Sequence, residues 1–195
     1  VVEQMRFETP KLYKDFLKEV KTAFTAVAKH KPTITAVAAP GKVDHKTGSV
    51  ISFGNLAWKN VPLAKDIGAI TGTTVLIDND ANLAGLSEAH RIEPLPHRVL
   101  YITISTGIGT GLVTDGYLDP DFLDSEGGSM LFEHEGKLEP WEKFASGKAI
   151  VAKYGMRASD INDPKIWKEI SRWFAIGIVD LTAVLEPDVI VIGGG

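Results

Sequence analysis

The sequence has 195 residues, of which 44% are hydrophobic and 24% charged, an ordinary composition for a globular chain with one core or two small lobes. It contains no cysteine, which excludes disulfides, thiol catalysis and cysteine-ligated zinc. The formal net charge of -4, without a run of lysine and arginine, argues against nucleic acid as a partner. No signal peptide and no apolar span of membrane length is recognisable, so we expect a cytoplasmic protein without membrane contact.

Helical and strand patterns alternate in the first half of the chain, which predicts an α/β fold. Apolar residues at helical spacing predict a first helix between Lys11 and His30. The elements expected after it are a strand at 33–41 that Pro40-Gly41 breaks, loops and short strands at 42–63, a helix at 64–71, a strand at 74–77 and a helix at 82–90. Pro94-Leu95-Pro96 is the best candidate linker, so residues 1–96 are predicted to form an N-terminal lobe.

The second half of the chain predicts a C-terminal lobe at residues 97–195. Its β-branched and apolar residues indicate a hairpin, with strands at 99–105 and 112–118 joined by a glycine turn at 106–111. The elements expected after it are helices at about 141–154 and 164–185 and a strand at 189–192. Packing, rather than stacking on a ligand, is expected for the tryptophans Trp58, Trp167 and Trp173.

The glycine turn between the hairpin strands, TGIGTG, is a candidate phosphate site. Glycines at alternate positions let the backbone approach a ligand closely and direct several N–H groups at one anion. The turn is neither a dinucleotide fingerprint nor a P-loop, because no helix follows it and no Lys-Ser/Thr pair closes it. An ordinary hairpin with a glycine bulge explains the turn about equally well, and the hydroxyls of Ser105, Thr106 and Thr110 favour phosphate only slightly.

The junction Asp78-Asn-Asp-Ala-Asn82 carries four polar side chains where a strand runs into a helix. An aspartate at such a place suits a group that accepts a proton from a hydroxyl, while neighbouring amides orient the same ligand. A simple helix cap by Asn79 or Asp80 is the alternative. A cap accounts for only one of the four polar side chains, so the excess indicates a ligand.

The segment LIDNDANLAGLSEA resembles the sugar-kinase segment of the ROK family, a group of bacterial sugar kinases and sugar-responsive repressors. Four other segments of the sequence resemble further parts of the family pattern in the same order, namely AAPGKVDHKTGSVISFGNLAWKNVPL, TISTGIGTGL, WEKFASG and PDVIVIGGG. The resemblance implies an actin-like ATPase (ribonuclease H-like) fold, with two lobes of mixed sheets and flanking helices. The family's Asp-x-Gly-Gly-Thr turn and its C-terminal helices find no match, so we expect a chain incomplete at both termini.

The resemblance also implies roles for single residues. Asp80 matches the catalytic base, and Asn79 matches a sugar-hydroxyl ligand beside it. Glu126 and Glu142 resemble sugar-binding carboxylates. Two further residues are expected near the sugar, Gly41 and Ser129, and seven near the nucleotide phosphates, Thr106, Gly107, Gly109, Thr110, Gly111, Gly193 and Gly194.

Two departures from the family pattern bear on ligands. Ser129 stands where the family has a histidine, which leaves the identity of the sugar open. The segment MLFEHEGKLEP stands where the family has zinc-binding cysteines, so no structural zinc is expected. His134 in this segment lies between Glu133 and Glu135, and we interpret it as part of a solvated charged turn rather than a metal site.

The expected function is ATP- and Mg²⁺-dependent phosphorylation of a hexose hydroxyl, with glucose converted to glucose 6-phosphate. Phosphoryl transfer of this kind needs positioning and charge neutralisation rather than covalent chemistry. The alternatives are a mannose or N-acetylhexosamine kinase, a polyphosphate-dependent kinase, a catalytically inactive sugar-binding module and a sugar-sensing repressor lobe. A repressor would need a helix-turn-helix that these residues lack. The expected ligands are therefore a sugar and a nucleotide, and a homodimer is possible.

Overall fold

The computed structural model describes residues 3–27, 32–54 and 56–194. Backbone contacts divide the chain into two compact units, Val1–Asp80 and Ala81–Gly195, here called unit 1 and unit 2. The division into lobes at residues 1–96 and 97–195, which was placed at the Pro94-Leu95-Pro96 linker, stays a prediction.

The described residues of unit 1 form two small sheets and two helices. Its elements are α1 (Tyr13–Val27), β1 (Ile34–Ala39), β2 (Lys42–Asp44), β3 (Ser49–Ser52), β4 (Lys59–Val61), α2 (Leu63–Thr71) and β5 (Thr74–Asn79). Strands β1 and β5 are parallel, while β2, β3 and β4 form an antiparallel sheet. The first predicted helix is confirmed from Tyr13 to Val27, but Lys11 and Leu12 form a bend before it, and its predicted end, including His30, lies outside the described residues.

An aromatic cluster around Trp58 forms the core of unit 1. The Trp58 ring lies 5.1 Å from the Phe16 ring and 5.3 Å from that of Phe53, and its indole N–H donates to the Lys11 carbonyl. Only 7% of Trp58 is exposed, which confirms its predicted packing role. The Tyr13 hydroxyl donates to Asp66 at 2.8 Å, and burial together with this carboxylate raises the pKa of Tyr13. These contacts fix α1 against α2.

Unit 2 contains a four-stranded sheet, a hairpin and most of the helices. Its elements are β6 (Arg98–Ile104), β7 (Ile108–Thr114), β8 (Tyr117–Leu118), β9 (Leu131–His134), β10 (Lys137–Pro140), α4 (Trp141–Ala145), α5 (Gly147–Tyr154), α6 (Pro164–Leu185) and β11 (Val189–Gly193), with 3-10 helices at Gly127–Ser129 and Ala158–Asp160. The sheet order is β11-β6-β7-β8, and β11 is parallel to β6. Helix α3 (Asp80–Ala89) opens with the last residue of unit 1 and continues in unit 2.

The predicted hairpin exists, but its strands and turn differ from the prediction. The turn is only Ser105–Gly107, closed by a hydrogen bond from the Ser105 amide to the Gly107 carbonyl at 2.9 Å. Residues 108–111 belong to β7, because the side chains of Ile108 and Thr110 are buried against unit 2. The second predicted strand breaks at Asp115-Gly116, where both residues have positive φ and form a tight turn into β8.

Two helix predictions also needed correction. The helix expected at 141–154 is two helices, because Ser146 adopts an extended backbone and its hydroxyl accepts from the Ala149 amide, which caps α5. The helix expected at 82–90 begins at Asp80 instead. The prediction for α6 is confirmed at both ends, and the Asp163 side chain caps this helix.

The core of unit 2 is built around Trp141, which is fully buried and donates its indole N–H to the Trp173 carbonyl at 2.8 Å. Helix α6 crosses the ring at Gly177, where an added Cβ would lie 2.4 Å from indole carbons. Trp173 is buried as predicted, whereas 37% of Trp167 is exposed and its indole N–H donates to the Ile161 carbonyl. Among the described residues, every helix falls short of the length and apolar character needed to cross a bilayer.

Candidate functional site

Unit 1 places Asn79 and Asp80 at the carboxyl end of a parallel strand pair. Ala39, the last residue of β1, lies opposite Asn79, the last residue of β5. The carboxyl ends of parallel strands are where α/β folds usually bind ligands. Asp80 follows at once as the exposed first residue of α3, and the positive end of a helix dipole stabilises a carboxylate there.

Gly41 holds the Asn79 side chain in place. The Asn79 amide nitrogen donates to the Gly41 carbonyl oxygen at 2.9 Å. Gly41 has φ +119°, and an added Cβ would lie 2.1 Å from the Ser52 carbonyl oxygen, so only glycine fits. The Gly41 residue that was expected near the sugar thus orients Asn79 through its backbone.

The buried carboxylate of Asp78 stabilises the same junction. Asp78 is 8% exposed and accepts a hydrogen bond from the Asn79 amide at 2.7 Å. Its other oxygen lies 3.1 Å from Nε2 of His45, which follows β2. A buried carboxylate needs such partners to offset its lost hydration. Nothing in the sequence around His45 indicated this pairing, because the histidine reaches Asp78 only through the fold.

Unit 2 places Glu142 against the hairpin turn. The residue lies in the first turn of α4, and its Oε2 accepts from the Ile108 amide at 3.4 Å. An added Cβ on Gly107 would lie 2.6 Å from the same oxygen. Gly107 is therefore needed where the carboxylate approaches the turn.

The Ala-Ser-Gly segment at residues 145–147 holds α4 and α5 against the Ser105–Gly107 turn. The Gly147 amide donates to the Ser105 carbonyl at 2.7 Å, and an added Cβ on Gly147 would lie 2.8 Å from that oxygen. Ser146 is 2% exposed and caps α5. The close approach fixes the position of Glu142 relative to Ser105.

Three residues predicted near phosphate have packing roles in unit 2. Added Cβ atoms on Gly109 and Gly111 would lie 3.0 Å from atoms of Ala81, so both glycines admit the first turn of α3 beside β7. Thr110 is 4% exposed, and its hydroxyl accepts from the Gly127 amide at 3.1 Å. Their predicted contact with phosphate stays a prediction, while Thr106 is exposed in the turn itself.

Glu126 and Ser129 flank a 3-10 turn that lies on β7. Gly127 and Gly128 between them are buried, and an added Cβ on Gly128 would lie 2.2 Å from the Ile108 carbonyl oxygen. The Ser129 amide donates to the Glu126 carbonyl at 2.9 Å. Both Glu126 and Ser129 are exposed, so their side chains are carried by a backbone that the two glycines fix.

Gly193 and Gly194 end strand β11 beside the end of β6. Gly194 has φ +114°, and an added Cβ would lie 2.1 Å from the Ile104 carbonyl oxygen. Gly193 leaves room for the Tyr101 hydroxyl, which would lie 2.4 Å from an added Cβ. Because β6 and β11 are parallel, their carboxyl ends share one edge with the turn that starts at Ser105.

The interpretation of His134 as part of a solvated turn was wrong. Its ring stacks on Phe144 at 4.3 Å, its Nδ1 lies 2.8 Å from Oε1 of Glu139, and 16% of the side chain is exposed. The burial comes from α4, which the local sequence could not indicate. Within the described ranges, no group of three His, Asp or Glu side chains could hold a metal ion.

Comparison with known proteins gives the family context of these residues. A family model described as ROK family matches residues 1–195. A glucokinase from Streptomyces coelicolor is 26% identical over 207 residues, which cover 85% of this chain and 65% of that protein. A putative xylose repressor from a Caldicellulosiruptor species is 26% identical over 195 residues, with 80% and 49% covered. The chain thus spans about half to two thirds of the length of these relatives.

Solved structures agree with the fold. A ROK family glucokinase from Streptomyces griseus, in complex with glucose and AMPPNP, superposes with a TM-score of 0.77 at 23% identity, covering 96% of this chain and 73% of the other. An inorganic polyphosphate/ATP-glucomannokinase from Arthrobacter sp. strain KM gives a TM-score of 0.75 at 26% identity, covering 100% and 74%. The predicted α/β fold of the actin-like ATPases is thereby confirmed.

Proposed function

The chain belongs to the ROK family, and from this premise we propose that it serves ATP-dependent phosphorylation of a hexose hydroxyl, with glucose as the acceptor. The observation that carries the proposal is the junction at the end of β5. There an exposed aspartate, Asp80, opens a helix next to Asn79, whose amide is oriented by the Gly41 carbonyl. The glucokinase relative supports the same reaction class.

Asp80 is proposed as the base that accepts the proton of the attacking sugar hydroxyl. A carboxylate can accept the proton late, after attack on the phosphoryl group has begun. Asn79 would hold a neighbouring hydroxyl, so that the attacking oxygen is fixed relative to the Asp80 carboxylate. Because the Gly41 carbonyl is fixed by the backbone and orients the Asn79 amide, the Asn79 side chain would lose little conformational entropy when the sugar binds.

Glu142 and Glu126 are proposed as sugar ligands. Sugar hydroxyls would donate hydrogen bonds to these carboxylates. The contact of Glu142 with the Ile108 amide fixes the acceptor without neutralising it.

The phosphate side would use backbone groups of unit 2. The turn Ser105–Gly107 and the residue Gly194 lie at the carboxyl ends of β6 and β11, where close backbone approach is possible. Mg²⁺, when bound with ATP, would neutralise phosphate charge largely through phosphate oxygens and water, which needs few protein ligands.

A sugar-responsive repressor is the second candidate, and the xylose-repressor relative favours it. Such a protein would use the same sugar contacts without needing Asp80 as a base. The two candidates therefore differ in whether a phosphorylated sugar forms.

The test is a coupled assay of the full-length protein with Mg-ATP, repeated with polyphosphate and with a panel of glucose, mannose and N-acetylated hexosamines. Loss of a general base lowers kcat by about 10²- to 10⁴-fold, so Asp80→Asn should lose that much activity while glucose still binds in calorimetric titration. Asp180→Asn, an exposed aspartate on α6, is the matched control and should retain full activity. Normal turnover by Asp80→Asn would remove the assigned base, and glucose binding without turnover by the unaltered protein would favour the repressor.

A further inference from the structure

Unit 2 contains a cavity of about 390 Å³ that has no part in the proposed reaction. It lies where the β9–β10 hairpin meets α4, α5 and α6, with Phe144 and Trp173 among its lining residues. Its ionisable lining consists of His134, Glu135, Lys137, Glu139, Lys143 and Lys153. A cavity of this size falls within the range of roughly 300–1,000 Å³ that binds small molecules.

The walls of this cavity are held rigidly. The His134 ring stacks on Phe144 and meets Trp173 edge-on at 5.6 Å. Lys153 lies 2.9 Å from Glu169 and 3.1 Å from Glu135, with its amine 4.5 Å from the centre of the Trp173 ring. The hydrogen bond to Glu169 raises the pKa of Lys153, so the amine stays charged. Fixed walls lower the entropic cost of binding a ligand.

The lysines along the cavity differ in their partners. Lys153 is paired with Glu135 and Glu169, while Glu139 lies beside His134. Within residues 3–27, 32–54 and 56–194, the amines of Lys137 and Lys143 make no hydrogen bond or ion pair. The cavity therefore offers two lysine amines without a partner next to carboxylates that still have acceptor positions.

We propose that this cavity binds a phosphate monoester of a polyhydroxylated compound, that is, a sugar phosphate. Lysine amines are compact point charges that bind phosphate well. Each carboxylate has about four acceptor positions, so Glu135 and Glu139 can accept from ligand hydroxyls while keeping their present partners. A simple anion would use only the lysines, whereas a neutral sugar would leave the amines of Lys137 and Lys143 without a partner.

Isothermal titration of the full-length protein with glucose 6-phosphate, inorganic phosphate and glucose tests this site. The double variant Lys137→Glu/Lys143→Glu is compared with the matched control Lys14→Glu/Lys21→Glu. The first should raise the Kd for glucose 6-phosphate by at least about tenfold, whereas the control should leave this Kd unchanged. The control changes the same charge on the exposed face of α1. Because Lys137 and Lys143 have no partners, the unfolding midpoint should be the same in both double variants.

The Glu139→Gln variant examines the hydroxyl contacts separately. Removing this negative charge should leave binding of inorganic phosphate unchanged or tighter, while the preference for glucose 6-phosphate over inorganic phosphate should fall by about tenfold. Equal affinity of the unaltered protein for glucose 6-phosphate and inorganic phosphate would overturn the proposed ligand class.

Two other results would overturn the site itself. One is an unchanged Kd in Lys137→Glu/Lys143→Glu, and the other is no binding of glucose 6-phosphate at millimolar concentration. Glucose 6-phosphate is also the product of the proposed reaction, so it can bind at the proposed sugar site. Asn79→Ala should abolish binding at that site and leave binding in the cavity unaffected. Since titration requires no turnover, failure of the phosphorylation assay and failure of this proposal are distinguishable.

Discussion

Replacing Gly41 by alanine should weaken both the fold of unit 1 and the binding of the sugar. The backbone at Gly41 has φ +119°, and an added Cβ would lie 2.1 Å from the Ser52 carbonyl oxygen. Such a backbone conformation costs a non-glycine residue about 1–3 kcal/mol, and crowding against a backbone atom adds about 1–3 kcal/mol. We therefore expect Gly41→Ala to lower the free energy of unfolding by at least about 2 kcal/mol.

The same substitution should also affect Asn79. Relief of the crowding moves the Gly41 carbonyl, which accepts from the Asn79 side-chain amide at 2.9 Å. Losing a hydrogen bond of this kind costs about 0.5–1.5 kcal/mol, which corresponds to a rise in the glucose Kd of about two- to twelvefold. Urea unfolding measures the first effect, and calorimetric titration of the folded variant with glucose measures the second.

Gly54→Ala is the matched control in the same unit. Nothing lies within 4 Å of an added Cβ at Gly54, and its φ is not positive, so stability should change by less than about 0.5 kcal/mol. Equal unfolding midpoints for the two variants would refute the steric reasoning. A folded Gly41→Ala protein with unchanged glucose affinity would refute the link from Gly41 to Asn79.

Three further predictions concern packing, titration and the pair of His45 with Asp78. Gly177→Ala should lower the unfolding midpoint, because overpacking against the Trp141 indole costs about 1–3 kcal/mol and exceeds the gain of about 1 kcal/mol in helix propensity; an equal loss in a Trp141→Phe background would contradict this cause. Because the pKa of Tyr13 is raised in the folded protein, its contribution to the free energy of unfolding should be complete below about pH 10, the ordinary tyrosine pKa, and be lost as the pH rises further. Urea unfolding across this range should show the loss in the unaltered protein but not in Tyr13→Phe. His45→Ala should lower stability by about 1 kcal/mol and raise the glucose Kd, whereas His97→Ala, which breaks the exposed pair with Asp115, should do neither.

Sequence patterns predicted the elements whose signals are local. Helix α6 was predicted at both ends, because Asp163 and Pro164 mark its start and apolar residues recur at helical spacing along it. Strand β11 and the junction at Asn79-Asp80 were likewise readable from short segments. Family membership followed from the order of several such segments along the chain.

Contacts between distant segments explain the predictions that failed. Gly109 and Gly111 read as turn residues, but they lie in β7 because helix α3 packs where their side chains would be. His134 read as solvated, since its neighbours in sequence are glutamates, yet Phe144 and Trp173 cover its ring. These outcomes depend on packing partners that no local pattern specifies.

The amino-acid sequence by itself therefore determined the alternation of helices and strands, the family and the polar junction at the end of β5, because capping, periodicity and short motifs act over a few residues. Tertiary structure decided that Gly41 orients Asn79, that His45 pairs with Asp78 and that Glu142 lies against the turn at Gly107. It also assembled the cavity beside His134 from a hairpin and three helices. Each of these arrangements depends on side chains far apart in the chain, which only the packing of strands and helices brings within a few ångströms.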